Sequence, residues 1–135
     1  MDRIIISDDK SKFPLAEAIE LLHKSYWAAE RSPETIKKSV ENSIVFGAYV
    51  NDGNSDKFVG MARVITDFAT TFYLADVIVD EKYRGMGIGK KLVSTIIADE
   101  RFSSLRGILV TRDAHGLYGQ FGFAKVPDSA MIRKV

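Results

Sequence analysis

The sequence predicts an α/β chain of the α+β type, with a mixed central sheet and helices on both faces. Three observations predict it. Apolar residues recur with period two in some stretches and with helical spacing in others, in the order β, α, α, β, β, β, α, β, α, β, β. The stretch from Thr70 to Thr111 reads strand, long helix, strand, and such a connection requires a parallel pair. Two β-branched runs, Ile44–Val50 and Phe58–Ile65, flank a dense turn cluster and read as an antiparallel hairpin. At 135 residues, one domain spanning 1–135 is the expectation.

The elements follow in order. Arg3–Ser7 is an isoleucine run closed by Asp8 and Asp9, a first strand. Pro14 opens a helix with Leu15, Ala18, Ile19 and Leu22 on one face, and His23, Ser25, Tyr26 and Trp27 lie at or beyond its end. A second helix begins with Ser32 as N-cap and Pro33 at its first position, and stops near Asn42. After the hairpin, Thr70–Val79 is a strand that breaks off into Asp80-Glu81-Lys82. Ile88, Leu92, Val93, Ile96 and Ile97 form one face of a helix that ends near Asp99. Gly107–Thr111 is the next strand and His115–Phe121 a short helix. Ala124-Lys125-Val126 and Met131–Val135 read as short edge strands around Pro127-Asp128.

Composition narrows the function classes. Hydrophobic residues make up 46%, enough for a buried core. A net charge of +1 with 27% charged residues gives no basic stripe, so no nucleic-acid partner is expected. The absence of cysteine excludes a disulfide, a thiolate metal site and a cysteine nucleophile, and no metal is expected. No apolar run approaches the roughly 18 residues of a membrane span. The chain opens with Asp2 and Arg3, which suits no signal peptide, so a cytoplasmic location and no membrane partner are expected.

The chain is organised around Ala75–Lys90. The first N–H groups of a helix lack internal partners and carry partial positive charge. Glycines at 85, 87 and 89 let another group approach that backbone, and Arg84 and Lys90 add cationic charge. The natural ligand is a phosphate or pyrophosphate. Alternating glycines are more than a plain helix start requires, since each costs up to about 1 kcal/mol of helix stability against alanine. A P-loop is excluded because three residues, not four, separate Gly85 from Gly89, and Lys91 follows Lys90. A dinucleotide fingerprint fits poorly as well: the glycines run G-x-G-x-G, and Ser104-Leu105-Arg106 stand where an acid is wanted.

Arg84-Gly85-Met86-Gly87-Ile88-Gly89 matches R/Q-x-x-G-x-G/A, and Tyr118-Gly119-Gln120-Phe121-Gly122-Phe123 matches Y-x-x-x-G-F. With these motifs in this order, the chain resembles the GCN5-related N-acetyltransferase (GNAT) superfamily over nearly its whole length. The resemblance implies a sheet that splays after its fourth strand, with acyl-CoA in the split. It implies that Val77, Ile78 and Val79 bind pantetheine through their backbone, and that Arg84, Gly85, Met86, Gly87, Ile88, Gly89 and Lys90 hold the pyrophosphate. A free strand N–H would stabilise the oxyanion. Tyr118 would be the general acid. Its unperturbed pKa near 10, against about 8.5 for a cysteine-like thiol, favours a hydrogen bond or a concerted transfer over full protonation of the thiolate. Asp67, Asp76, His115 or water would be the base.

The family's asparagine after the fifth strand is replaced here by Thr111, leaving Phe121 packing as a further cofactor contact. The acceptor pocket implied by the resemblance gathers Tyr26, Trp27, Arg31, Arg63, Asp67, Phe68 and Phe72, of which Trp27, Arg63 and Asp67 are the substrate-binding candidates. Arg63 reads either as an ion pair with Asp67 or as a grip for a carboxylate, and the acceptor as a small amine with an anionic or aromatic portion. The expected activity is transfer of an acetyl group from acetyl-CoA to a primary amine by direct attack in a ternary complex. The alternatives are transfer of a different acyl group, action on a protein amine, a CoA-binding module without catalysis, and a homodimer in which residues 124–135 pair across chains.

Overall fold

A computed structural model describes residues 3–135, so the charged opening at Asp2 lies outside the described residues. Five strands form one sheet in the order β1-β2-β3-β4-β5: Arg3–Ser7, Ile44–Asn51, Asp56–Thr66, Thr71–Val79 and Arg106–Ile108. The first four pair antiparallel with their neighbours, and β5 runs parallel to β4. Four α-helices accompany them: α1 Leu15–Leu22, α2 Pro33–Glu41, α3 Ile88–Ala98 and α4 His115–Gly119.

The helices form where local chemistry starts and stops them. Ser32 caps α2 by accepting a hydrogen bond from Thr35 N–H at 3.1 Å, and Pro33 occupies the first turn, where its missing N–H costs nothing. α1 and α2 lie on one sheet face, burying Ala18, Leu21, Leu22, Ile36 and Val40 against Val45, Met61 and Ile78. On the other face α3 buries Ile88, Leu92, Val93 and Ile96 against Phe46, Val59, Val64, Phe72 and Leu74, with Phe102 closing the end. The expected mixed sheet with helices on both faces is what forms.

Two expectations fail at the C-terminal end. β5 is Arg106–Ile108 rather than Gly107–Thr111, because its pairing with β4 stops at Tyr73–Ile108. Residues beyond 108 have no β4 backbone within reach. The edge strands expected at 124–126 and 131–135 do not form either. Pro127 lacks an N–H, and a three-residue β5 offers too little edge for a ladder to build on. Val126, Met131 and Ile132 are left exposed.

Candidate active site

One residue breaks the regularity of β4. Between the pairs Arg63–Ala75 and Met61–Ile78, β3 contributes only Ala62 while β4 contributes Asp76 and Val77. This is a bulge, and Asp76 takes the left-handed conformation (φ 53°) that it requires. An extra residue shifts which side chains face which layer. Phe72 and Leu74 face α3 before the bulge; Val77 and Val79 do so after it, while Ile78 joins the opposite core. Beyond Tyr73, β4 has no strand partner on its β5 side, so the sheet splits there.

The bulge is held by Asp76 itself, whose side chain is 2% exposed. Its Oδ2 accepts from Arg63 Nε at 2.8 Å and Arg31 Nη1 at 3.0 Å, and its Oδ1 from Trp27 Nε1 at 2.9 Å. Burial alone would raise this carboxyl's pKa. The Arg63 and Arg31 guanidiniums and the Trp27 N–H outweigh it and hold the group below the usual carboxylate range. Trp27 and Arg31 come from the α1–α2 connection, which is fixed from within. The Ser25 hydroxyl donates to Leu22 C=O and accepts from Ala28 N–H, and His23 Nε2–H donates to Arg31 C=O at 2.7 Å. The expected Arg63–Asp67 ion pair is replaced by the Arg63–Asp76 pair. Asp67 instead closes the β3–β4 turn, accepting from the N–H groups of Ala69, Thr70 and Thr71 and from the Thr70 hydroxyl. Those bonds, Thr70's first, push its pKa far down.

β4 runs out through a single 3-10 turn, Glu81–Tyr83, into the glycine stretch. Gly85 (φ 84°) and Gly87 (φ 78°) adopt conformations that other residues resist, and Gly87 is the N-cap of α3. None of the backbone N–H groups from Gly85 through Lys90 has an acceptor among the described residues. Nothing lies within 4 Å of where a Cβ would stand on Gly85 or Gly87. Arg84 Nε donates to Val79 C=O at 3.2 Å, which folds this side chain back along the turn. Open N–H groups, absent side chains and flanking cations fit a pyrophosphate. Ile88 gives only its backbone to the turn, since its side chain is buried in the core.

A cleft of about 730 Å³ is lined by this turn, Val77–Val79 and Tyr118, together with Tyr26 and Trp27. A second, of about 590 Å³, lies on the Asp76 side and is lined by Arg31, Arg63, Tyr73 and residues 109–114. The two share Tyr26, Trp27, Val77, Asp113, Ala114 and Tyr118. Burial, then the nearby Tyr26 and Asp113, push the Tyr118 phenol up to about 12. Of the residues expected at the site, Val77–Val79, most of the 84–90 stretch, Tyr118, Trp27 and Arg63 line one or both clefts. Asp67, Phe68 and His115 line neither, and Phe72 is buried in the α3 core. Phe121 packs in a separate cavity with Phe72, Phe102 and Phe123. Thr111 lines the second cleft, and its hydroxyl accepts from Ala114 N–H at 3.1 Å. Sequence reasoning passed over Asp113 and Arg112; Arg112 stacks on the Tyr26 ring at 3.7 Å. Their position in the loop before Tyr118 was the available signal.

A split beside β4 thus has a turn of open N–H groups at one end and the half-buried Tyr118 where the two clefts meet. Residues 41–125 match the acetyltransferase (GNAT) domain. The chain belongs to the GNAT acetyltransferase family. A GNAT-family acetyltransferase structure from Xanthomonas campestris pv. campestris is 34% identical with a TM-score of 0.89, over 98% of this chain and 94% of that one. Among curated GNAT relatives, the uncharacterized N-acetyltransferase ycf52 of Gracilaria tenuistipitata var. liui is 28% identical over 113 residues, 82% of this chain. The chain spans 62% of that relative's length and under half of some others'. A Clostridium acetobutylicum acetyltransferase solved with acetyl-CoA shares the GNAT fold at a TM-score of 0.69 and 12% identity, over 98% of this chain and 96% of that one. Among the described residues no helix is long and apolar enough to cross a membrane.

Removing the Asp76 charge tests the clamp. Asp76→Asn is expected to lower stability at pH 7 by about 3 kcal/mol, because two guanidiniums lose their partner. A depressed carboxyl pKa contributes stability that is present above the unfolded value near 3.9 and lost as pH falls through the folded value. The gap between wild type and variant, read from urea unfolding, should therefore close as pH drops below about 4. A gap independent of pH would mean that the carboxylate charge is not what holds the bulge.

Proposed function

We propose that the protein is an acetyl-CoA-dependent N-acetyltransferase acting on the primary amine of a small molecule, by direct attack in a ternary complex. The observation that carries this is the meeting of two clefts at Tyr118, one ending in the open N–H groups of the glycine turn. Acetyl-CoA in the Clostridium structure, which shares the fold, supports the same donor here.

In this reading Arg84, Lys90 and the N–H groups of 85–90 hold the pyrophosphate, and the free edge of Val77–Val79 pairs with the pantetheine amides as an added strand would. The thioester supplies an activated acyl carbon. The acceptor enters from the second cleft as the free amine. Its nitrogen bonds to the acyl carbon as the carbon–sulfur bond breaks, the proton on nitrogen leaves to water, and the thiolate ends protonated from solvent. Tyr118, protonated throughout the physiological range, donates a hydrogen bond to the departing sulfur. With its pKa pushed up to about 12, it lies further above a thiol than a free phenol does, so stabilisation by hydrogen bonding is favoured over full transfer. Asp76 is a poor base because three donors already occupy its carboxylate. Asp67 is poor because its pKa is so low and it lines neither cleft. A second cleft of about 590 Å³ is of the size that small molecules occupy.

Calorimetry with acetyl-CoA tests the donor site: wild type is expected to bind at micromolar concentration and Gly87→Glu not to bind. Retained binding in the variant would move the pyrophosphate off the glycine turn. Tyr118→Phe should keep the acetyl-CoA affinity and lose about 10²-fold or more in kcat. The wild-type rate should rise with pH as the amine deprotonates and show no falling limb from Tyr118 below pH 11, since the phenol titrates near 12. Unchanged kcat in Tyr118→Phe would remove the catalytic role and favour a CoA-binding module.

A further inference from the structure

The second cleft is not electrically neutral. Its charged lining consists of Arg31, Arg63 and Arg112 against Asp76 and Asp113. Deep in it, one carboxylate is shared by two guanidiniums whose side chains are 25% and 12% exposed, so one positive charge there is left uncompensated. A half-buried cation without a counter-charge is costly unless something supplies one.

The hydrogen-bond inventory points the same way. Arg31 uses Nη1 on Asp76, and Arg63 uses Nε on Asp76 and Nη1 on Ser43. Among the described residues, Nε and Nη2 of Arg31 and Nη2 of Arg63 have no acceptor. Free guanidinium edges of this kind match the paired oxygens of a carboxylate or phosphate. The clamp on Asp76 also fixes both side chains before any ligand arrives, which lowers the entropy cost of using them.

The cleft has a direction as well. Arg31 and Arg63 line the second cleft only, whereas Asp113 and Tyr118 line both clefts. A molecule with an anion at one end and a free amine at the other would enter with its anion on the arginines. Its amine would lie toward Asp113 and the acyl group.

Resting on the acetyltransferase reading above, we propose that Arg31 and Arg63 form an anion subsite, and that the acceptor is a small zwitterion bearing a carboxylate or phosphate besides its primary amine. The test uses matched probes: glycine against glycinamide, aspartate against its diamide, and an amino-sugar phosphate against the free amino sugar. Thiol release from acetyl-CoA is followed with wild type and Arg31→Gln. This variant leaves Arg63 and Trp27 on Asp76, so the clamp survives. In at least one pair the anionic member is expected to exceed its neutral partner by about 100-fold in kcat/KM, with Arg31→Gln cutting that advantage at least tenfold. The loss should fall on acceptor KM, with the acetyl-CoA affinity unchanged.

Equal or better turnover of the neutral partners would overturn the proposal while leaving the acetyltransferase reading intact. If no probe turns over, the emission of Trp27, the chain's single tryptophan, decides. A saturable change with anionic probes alone, weakened in Arg31→Gln, upholds the subsite. No change, or the same change with neutral probes, overturns it. Calorimetry with acetyl-CoA is run beside these titrations, so a failed donor site is distinguished from a failed anion subsite.

Discussion

A carboxylate that must stay ionised in the middle of an apolar strand is the constraint on which the rest depends. Asp76 is one residue more than the β3–β4 ladder can pair, and it sits in a backbone conformation that side chains resist. Three donors from two separate segments, Trp27 and Arg31 in the α1–α2 connection and Arg63 on β3, make that arrangement stable. Because the extra residue is held, Val77 and Val79 face the α3 layer, on a stretch of β4 whose far edge is unpaired beyond Tyr73. The split begins three residues before this interaction, and Asp76, Arg31 and Arg63 line the second cleft.

The two halves of the site use different parts of the chain. The glycine turn presents backbone: its side chains are missing, exposed or, as with Ile88, directed into the core. The second cleft presents side chains, and Trp27, Arg31, Arg63 and Asp76 among them form the cluster that holds the bulge. A substitution in the turn should therefore touch donor binding with little effect on the fold. A substitution at Arg63 couples acceptor binding to stability and is harder to interpret.

Much of this was legible in the sequence. The Ser32-Pro33 start of α2, the α3 face, the hairpin and the glycine turn each have a local cause, so local patterns revealed them. The motifs around Arg84 and Tyr118 carried the family. The bulge was not legible, because a strand-like apolar run continues on both sides of Asp76 with no glycine, proline or gap to mark it. The one trace was a charged residue inside an apolar run. Missing the bulge meant missing the shift in facing, and with it the Arg63–Asp76 pair, so Asp67 looked like the nearer partner. The C-terminal strands were over-read for a related reason: apolar composition at 124–135 says nothing about whether an edge exists to receive them. Asp113 and Arg112 matter through position in the split, which depends on where β5 ends.

The central claim is that the unpaired edge of β4 and the glycine turn form one donor site. Amide hydrogen exchange with and without acetyl-CoA reads it most directly, since both parts would bind through backbone N–H groups. The expected result is slowed exchange in residues 75–79 and 85–90 together, saturating at one acetyl-CoA concentration, with the α1–α2 side of the sheet changing little. Slowing in the glycine turn alone, or outside both segments, would contradict it.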